Sequence, residues 1–202
     1  MRRHAPIFRL TLWLVAVATM ALAPCAKASA QVSDSDRLGM ALDYFQSGKY
    51  HEARLLLQKL NAHYRLNPRF KAYLGVCCYY EWDYKQATTL LDSVIPQLSA
   101  FAPQERSVYY FANAESHFVL EQYDEALPLY QTMLSLCKPN EMPDAFYRIG
   151  FIHTYRHEWI AALDNLQSAL VYYRRHRPEE QARIAQIRNM IKGCCDKIKQ
   201  GQ

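Results

Sequence analysis

Glycine is scarce, at six in 202 residues. No GxGxxG and no GxxxxGK[ST] occurs, so the chain lacks the turns that bring backbone amides against phosphates. Cys-x-x-Cys is missing too, which removes the usual zinc and thioredoxin spacings, and HExxH is absent. No Ser sits in a nucleophile elbow and no Cys–His pair has a fixed context. Half the residues are hydrophobic and 21% are charged, which rules out a disordered chain and leaves ample material for one packed domain. Aromatics, in contrast, are plentiful, with 15 Tyr.

One long uncharged run exists, Leu10–Ala23, and its 14 residues fall short of the roughly 20 a membrane-spanning helix needs. Arg2, Arg3 and Arg9 precede it, Pro24 ends it, and Ala28-Ser29-Ala30 follows as an A-x-A site. These are the parts of a secretory signal peptide, so residues 1–30 are predicted to be cleaved after Ala30 and the protein exported to the periplasm or cell envelope. The one membrane attachment the sequence offers is lipidation at Cys25, where Pro24 stands in place of the small residue expected. Removing Arg2, Arg3, Arg9 and Lys27 leaves 20 basic against 19 acidic residues, a net charge of +1. Nucleic-acid binding by counterion release needs a concentrated basic surface, and the mature chain lacks one apart from a basic excess in residues 171–202.

The strongest signal in the mature chain is repetition. Ala53, Ala87, Ala126 and Ala162 stand 34, 39 and 36 residues apart. Three residues before each comes an aromatic (Tyr50, Tyr84, Tyr123, Trp159), and twelve before, a small residue (Ala41, Gly75, Ala114, Gly150). Four after comes a large one: Leu57, Leu91, Tyr130, Leu166. Small residues on two helices let them approach closely, the aromatic plugs the turn, and the large residue fills the gap one turn on. Pro68 and Pro143 read as first-turn prolines, and Asp34-Ser35-Asp36 as a cap for the first helix.

In these columns the chain resembles the tetratricopeptide repeat (TPR) family, exported members included. Leu74-Gly75 with Tyr84 and Ala87, and Ile149-Gly150 with Trp159 and Ala162, carry the resemblance best. It implies an all-α fold, a right-handed superhelix of antiparallel helix pairs (an α-solenoid). The four units cover about residues 34–67, 68–102, 103–141 and 142–177 within a domain of residues 31–202. Spacing departs from the family where five extra residues fall at Ser99–Gln104. After Pro178 a helix to about Lys199 carries an apolar stripe, Ile184, Ile187, Ile191, Cys194 and Ile198, suited either to closing the stack or to homo-oligomerisation.

The resemblance also implies that first helices line a concave groove. Positions fifteen, eleven, eight and seven before each anchor include Leu38, Leu42, Phe45, Gln46, Tyr79, Tyr80, Phe111, Glu115, Phe118, Tyr147, Phe151 and Tyr155, with Arg148 as a cation in the fourth unit. Eight of the sixteen groove positions are aromatic, which marks an interaction surface. Such rings are expected to hold a protein or peptide partner while contributing little to the core, unlike the turn aromatics. The carboxylate-clamping members of the family use Lys and Asn where this chain has Leu38 and Leu42, so an apolar segment is the expected ligand. No cofactor, metal or catalytic site is expected. The competing use of His153 and His157, four apart beside Glu158, as a metal or enzymatic site lacks a third ligand. Among Cys77, Cys78, Cys137, Cys194 and Cys195, sequence neighbours cannot easily close on themselves, and one long-range disulfide stays open.

Overall fold

The computed structural model describes residues 33–201; the leader expected at residues 1–30, with Cys25, lies outside them. Nine α-helices form among the described residues: α1 (Asp34–Gln46), α2 (Tyr50–His63), α3 (Pro68–Tyr80), α4 (Tyr84–Val94), α5 (Pro103–Val119), α6 (Tyr123–Leu136), α7 (Met142–Tyr155), α8 (Trp159–His176) and α9 (Gln181–Lys199). They stack as four helical hairpins plus a last helix, an all-helical α-solenoid.

Each hairpin is closed by the same turn. Gly48, Trp82, Glu121 and His157 all take the left-handed conformation, with φ of 71°, 61°, 60° and 59°. The next N–H bonds the carbonyl five residues back: Lys49 to Tyr44 at 2.8 Å, and Asp83 to Cys78, Gln122 to His117 and Glu158 to His153 at 2.9 Å. This is a Schellman closure, and it satisfies carbonyls that a helix end leaves unpaired. Only the first turn uses the residue that adopts this φ without steric cost.

The repeat columns are the core. The four anchor alanines, Ala41 and Ala114, and Leu57, Leu91, Tyr130 and Leu166 are all fully buried. A Cβ placed on Gly75 would come within 2.7 Å of Leu91 Cγ, and one on Gly150 within 2.7 Å of Leu166 Cγ. Starts are equally local. Asn67 Oδ1 accepts from Phe70 N at 3.1 Å ahead of Pro68, and Pro103 and Pro143 sit in the first turns of α5 and α7.

The lengthened connection does not break the stack. Ile95–Gln97 forms a 3-10 turn after α4, and Ile95 and Leu98 are buried in the first core cluster. Across it, Arg69 on α3 grips Glu105 on α5 with two bonds, Nε to Oε1 at 2.7 Å and Nη2 to Oε2 at 2.9 Å. Tyr109 donates to the same carboxylate at 2.6 Å. The last helix begins at Gln181, three residues beyond Pro178, and buries Ile184, Ile187 and Cys194 against α8. Arg183 lies 4.3 Å over the Tyr147 ring and Cys194 Sγ is 4.0 Å from Thr154 Oγ1, so α9 runs parallel to α7 and extends the row of first helices.

Candidate functional site

Among the four residues that stand seven before the anchors, three are exposed hydrophobics on successive units: Tyr80 at 45%, Val119 at 46% and Tyr155 at 64%. Each ring of this column rests on the turn aromatic of the preceding unit. Tyr80 stacks on Tyr50, centroids 3.9 Å apart at 3°, and Tyr155 meets Tyr123 at 4.8 Å. Burial and the neighbouring Tyr80 push the Tyr50 phenol up to about 12.

One position deeper, Phe45, Tyr79 and Phe118 are half-buried and touch the turn aromatics of their own units, Tyr50, Tyr84 and Tyr123, at 5.7, 6.2 and 5.3 Å. They also reach the next unit, Phe118 to Phe151 at 5.3 Å and Tyr79 to Phe111 at 6.2 Å. Leu42 is half-buried beside them. The expected separation into ligand rings and core rings therefore does not hold in this form. Groove and turn aromatics mix in two sets of ring contacts, because a ring projecting from a first helix meets the hairpin before it. One runs from Phe45 through Tyr50, Tyr80 and Tyr79 to Tyr84 and Phe111, the other from Phe118 through Tyr123 to Phe151 and Tyr155.

Two further expectations need correction. Tyr147 is buried, because α9 packs over it. Glu115 is buried as well, and it is already paired: Arg148 donates through Nε and Nη2, both at 2.8 Å, and Tyr130 donates at 2.5 Å. Arg148 in turn lies 4.3 Å over the Phe118 ring. A buried carboxylate needs its partner to offset desolvation, so both charges are engaged within the groove floor and neither is offered to a ligand. Burial and the Glu115 charge raise the Tyr130 phenol well above its usual range.

The alternative chemistry finds no assembly. His153 Nδ1 lies 2.5 Å from Glu158 Oε2, while His157 forms the turn and contacts Trp159. Among the described residues no group of three or more His, Cys, Asp or Glu is placed to hold a metal ion. The five described cysteines are free thiols, and burial pushes Cys77 up to about 12 and Cys78 to about 11. Thiols so protonated are poor nucleophiles.

Sequence reasoning overlooked three things. Tyr73 packs on Phe45 at 4.5 Å, an extra groove ring fourteen residues before its anchor. Asp92, Asn113, His117 and Gln122 form a polar cluster between α4 and α5. A cavity of about 190 Å³ opens beside Tyr80, Val108, Phe111, Glu141, Asp144 and Arg177. Tyr73 stands one position off the groove columns, and both the polar cluster and the cavity depend on contacts between units, which the repeat alignment does not carry.

No protein-family model matches the chain, and no curated protein matches it in sequence. Solved structures do resemble it. MamA from Desulfovibrio magneticus RS-1 (41-end) is 17% identical with a TM-score of 0.58, covering 83% of this chain and 92% of that one. A MamA structure designated AMB-1 is 15% identical at a TM-score of 0.60, over 84% and 93% of the two chains. Another, MamA MSR-1, is 15% identical at 0.58, over 84% and 98%. Identities this low speak for the fold, a TPR-like solenoid. No described helix is long and apolar enough to cross a membrane.

Proposed function

We propose that the chain is an exported, non-catalytic interaction module that holds a partner polypeptide along its concave aromatic face, within an envelope assembly. The observation that carries this reading is the exposed column Tyr80, Val119 and Tyr155. These side chains recur at one position of successive units, leave much of their surface to solvent, and complete no core layer. Tyr presents a flat apolar face and a hydroxyl, which suits peptide recognition at low entropic cost.

A photo-crosslinking residue at position 155, compared with one at the exposed Leu55 on a second helix, tests it in the native envelope. A partner captured at 155, not at 55, and released by Tyr80→Ala supports the groove. Equal capture at both positions would remove it. Export is tested separately by the N-terminus of the purified protein, expected at Gln31; an intact Met1 or a lipid on Cys25 would overturn it.

A further inference from the structure

The cavity beside Tyr80 has two unlike walls. One is apolar, formed by Tyr80, Val108 and Phe111, with Val108 42% exposed. The other is charged, formed by Glu141, Asp144 and Arg177. The cation is already committed. Arg177 Nη1 lies 2.7 Å from Asp144 Oδ2 and 3.5 Å from Glu180 Oε1, and Nη2 donates to the Asn140 carbonyl at 3.3 Å. Tyr173 donates to Asp144 as well. Glu141 Oε2 accepts the backbone N–H of Lys138 at 3.0 Å, and among the described residues no side-chain cation pairs with it. Asp144 and Glu180 thus hold the guanidinium between them, and Glu141 adds to the cavity an acid that no described guanidinium takes up.

Asp144 has structural work, holding Tyr173 and Arg177, and acids near a helix start favour the helix dipole. Glu141 stands at the start of α7, where the helix dipole favours it, and it lines the same cavity as exposed Val108 and Tyr80 with no described side-chain cation to neutralise it. A volume of about 190 Å³ is roughly six waters at about 30 Å³ each, the room of a single long side chain. A side chain that is apolar along its stem and cationic at its tip would satisfy both walls at once, as lysine and arginine do when their stems lie on apolar surface. The Tyr80 ring adds a face that attracts cations.

We propose that this cavity is the subsite for a lysine or arginine side chain of the partner polypeptide, its stem on Tyr80, Val108 and Phe111 and its charge at Glu141. This rests on the groove reading above and adds the chemistry of the segment bound.

The test is selection of a random peptide library on the purified protein, followed by anisotropy titration of the enriched peptide. An enriched Lys or Arg is expected. Replacing it with norleucine, or making Glu141→Gln, should each weaken binding about tenfold, as for a charge-assisted hydrogen bond at a partly open site. Together the two changes should weaken it little more than either alone. Raising salt from about 50 to 300 mM should weaken the basic peptide and spare the norleucine one. Enriched peptides without a basic residue, or affinity indifferent to Glu141→Gln, overturn the subsite. If Tyr155→Ala still abolishes binding in that case, the groove reading stands alone; indifference to both substitutions, or no enrichment at all, counts against both. Norleucine decides the matter should the Glu141 variant fold poorly.

Discussion

Three glycines in helices have opposite requirements, although each has the same helix-weakening backbone. Around Gly39 an added Cβ meets nothing within 4 Å, whereas at Gly75 and Gly150 it runs into Leu91 and Leu166. Gly39→Ala should therefore stabilise by about 0.5–1 kcal/mol through backbone entropy and helix propensity. Gly75→Leu should destabilise by about 1–3 kcal/mol or more through overpacking. Gly150→Leu should be at least as costly, since the Leu166 backbone nitrogen also stands within 3.3 Å and cannot swing aside. Chemical denaturation of the three variants checks the order; destabilisation by all three alike would mean the close approaches are wrongly placed. Trp82 makes the complementary case. It is 80% exposed at φ 61°, so its ring brings little burial to offset a left-handed backbone. Trp82→Gly should raise stability by about 0.5–1 kcal/mol, the steric relief less the entropy gained by the unfolded chain. At this scale the small and large columns were legible because complementarity of volume is written in residue type. The left-handed turn was not, because Trp, Glu and His hold it in three units of four.

Among the elements, α5 carries the densest polar burial, and its charges set how the stack responds to pH. His117 Nε2 lies 3.2 Å from both Asp92 oxygens and Nδ1 2.7 Å from Gln122 Oε1, while Asn113 Nδ2 donates to Asp92 at 2.7 Å. Burial works to lower the His117 pKa, but Asp92 and Gln122 outweigh it and carry it above the usual imidazole range. Burial likewise works to raise Asp92, and His117 with Asn113 overcomes it and holds the carboxyl below its usual value. A raised His contributes stability that is complete below its unfolded pKa of about 6.5 and lost as pH rises through the folded value. The lowered Asp contributes above about 3.8 and loses its share as pH falls through its folded value. Denaturation midpoints should thus fall more steeply above neutrality in the native chain than in His117→Gln; parallel pH profiles would exclude the pair as the cause. Glu115 tests the other side of α5. Glu115→Ala strands Arg148 and the Tyr130 hydroxyl and should cost roughly 3–5 kcal/mol, whereas changing Glu115 and Arg148 together to Met should cost less than the two single changes summed. The connection after α4 shows where element-level reading stopped. Its extra length was countable, but that Leu98 turns inward to plug the joint depends on surfaces of α3 and α5 it meets in space.

Across the whole molecule, helices touch chiefly their neighbours in sequence, as in other one-dimensional stacks, so each end must be closed by something that is not a repeat. This explains which part of the groove was legible. The aromatic column follows from spacing within a unit, while the exposure of a given ring depends on the unit beyond it. Tyr155 remains open because α9 leaves it clear, and Tyr147 is covered because α9 crosses it. The same helix sets the final prediction. Its stripe, expected either to close the stack or to pair copies, lies against α8, with Ile184 and Ile187 buried at a worth of about 1.5–3 kcal/mol each. A chain ending at Arg177 would keep four hairpins but bare Tyr147 and the α8 face beneath Ile184, Ile187 and Cys194. It should melt at lower temperature, bind an apolar dye and self-associate in light scattering, while the full-length chain does not bind the dye. Substituting Ile187→Asp in the full chain should reproduce the effect by placing a charge in the same contact. If the shortened chain instead stays monomeric with an unchanged melting point, and only the full chain dimerises, then α9 joins copies and closes nothing.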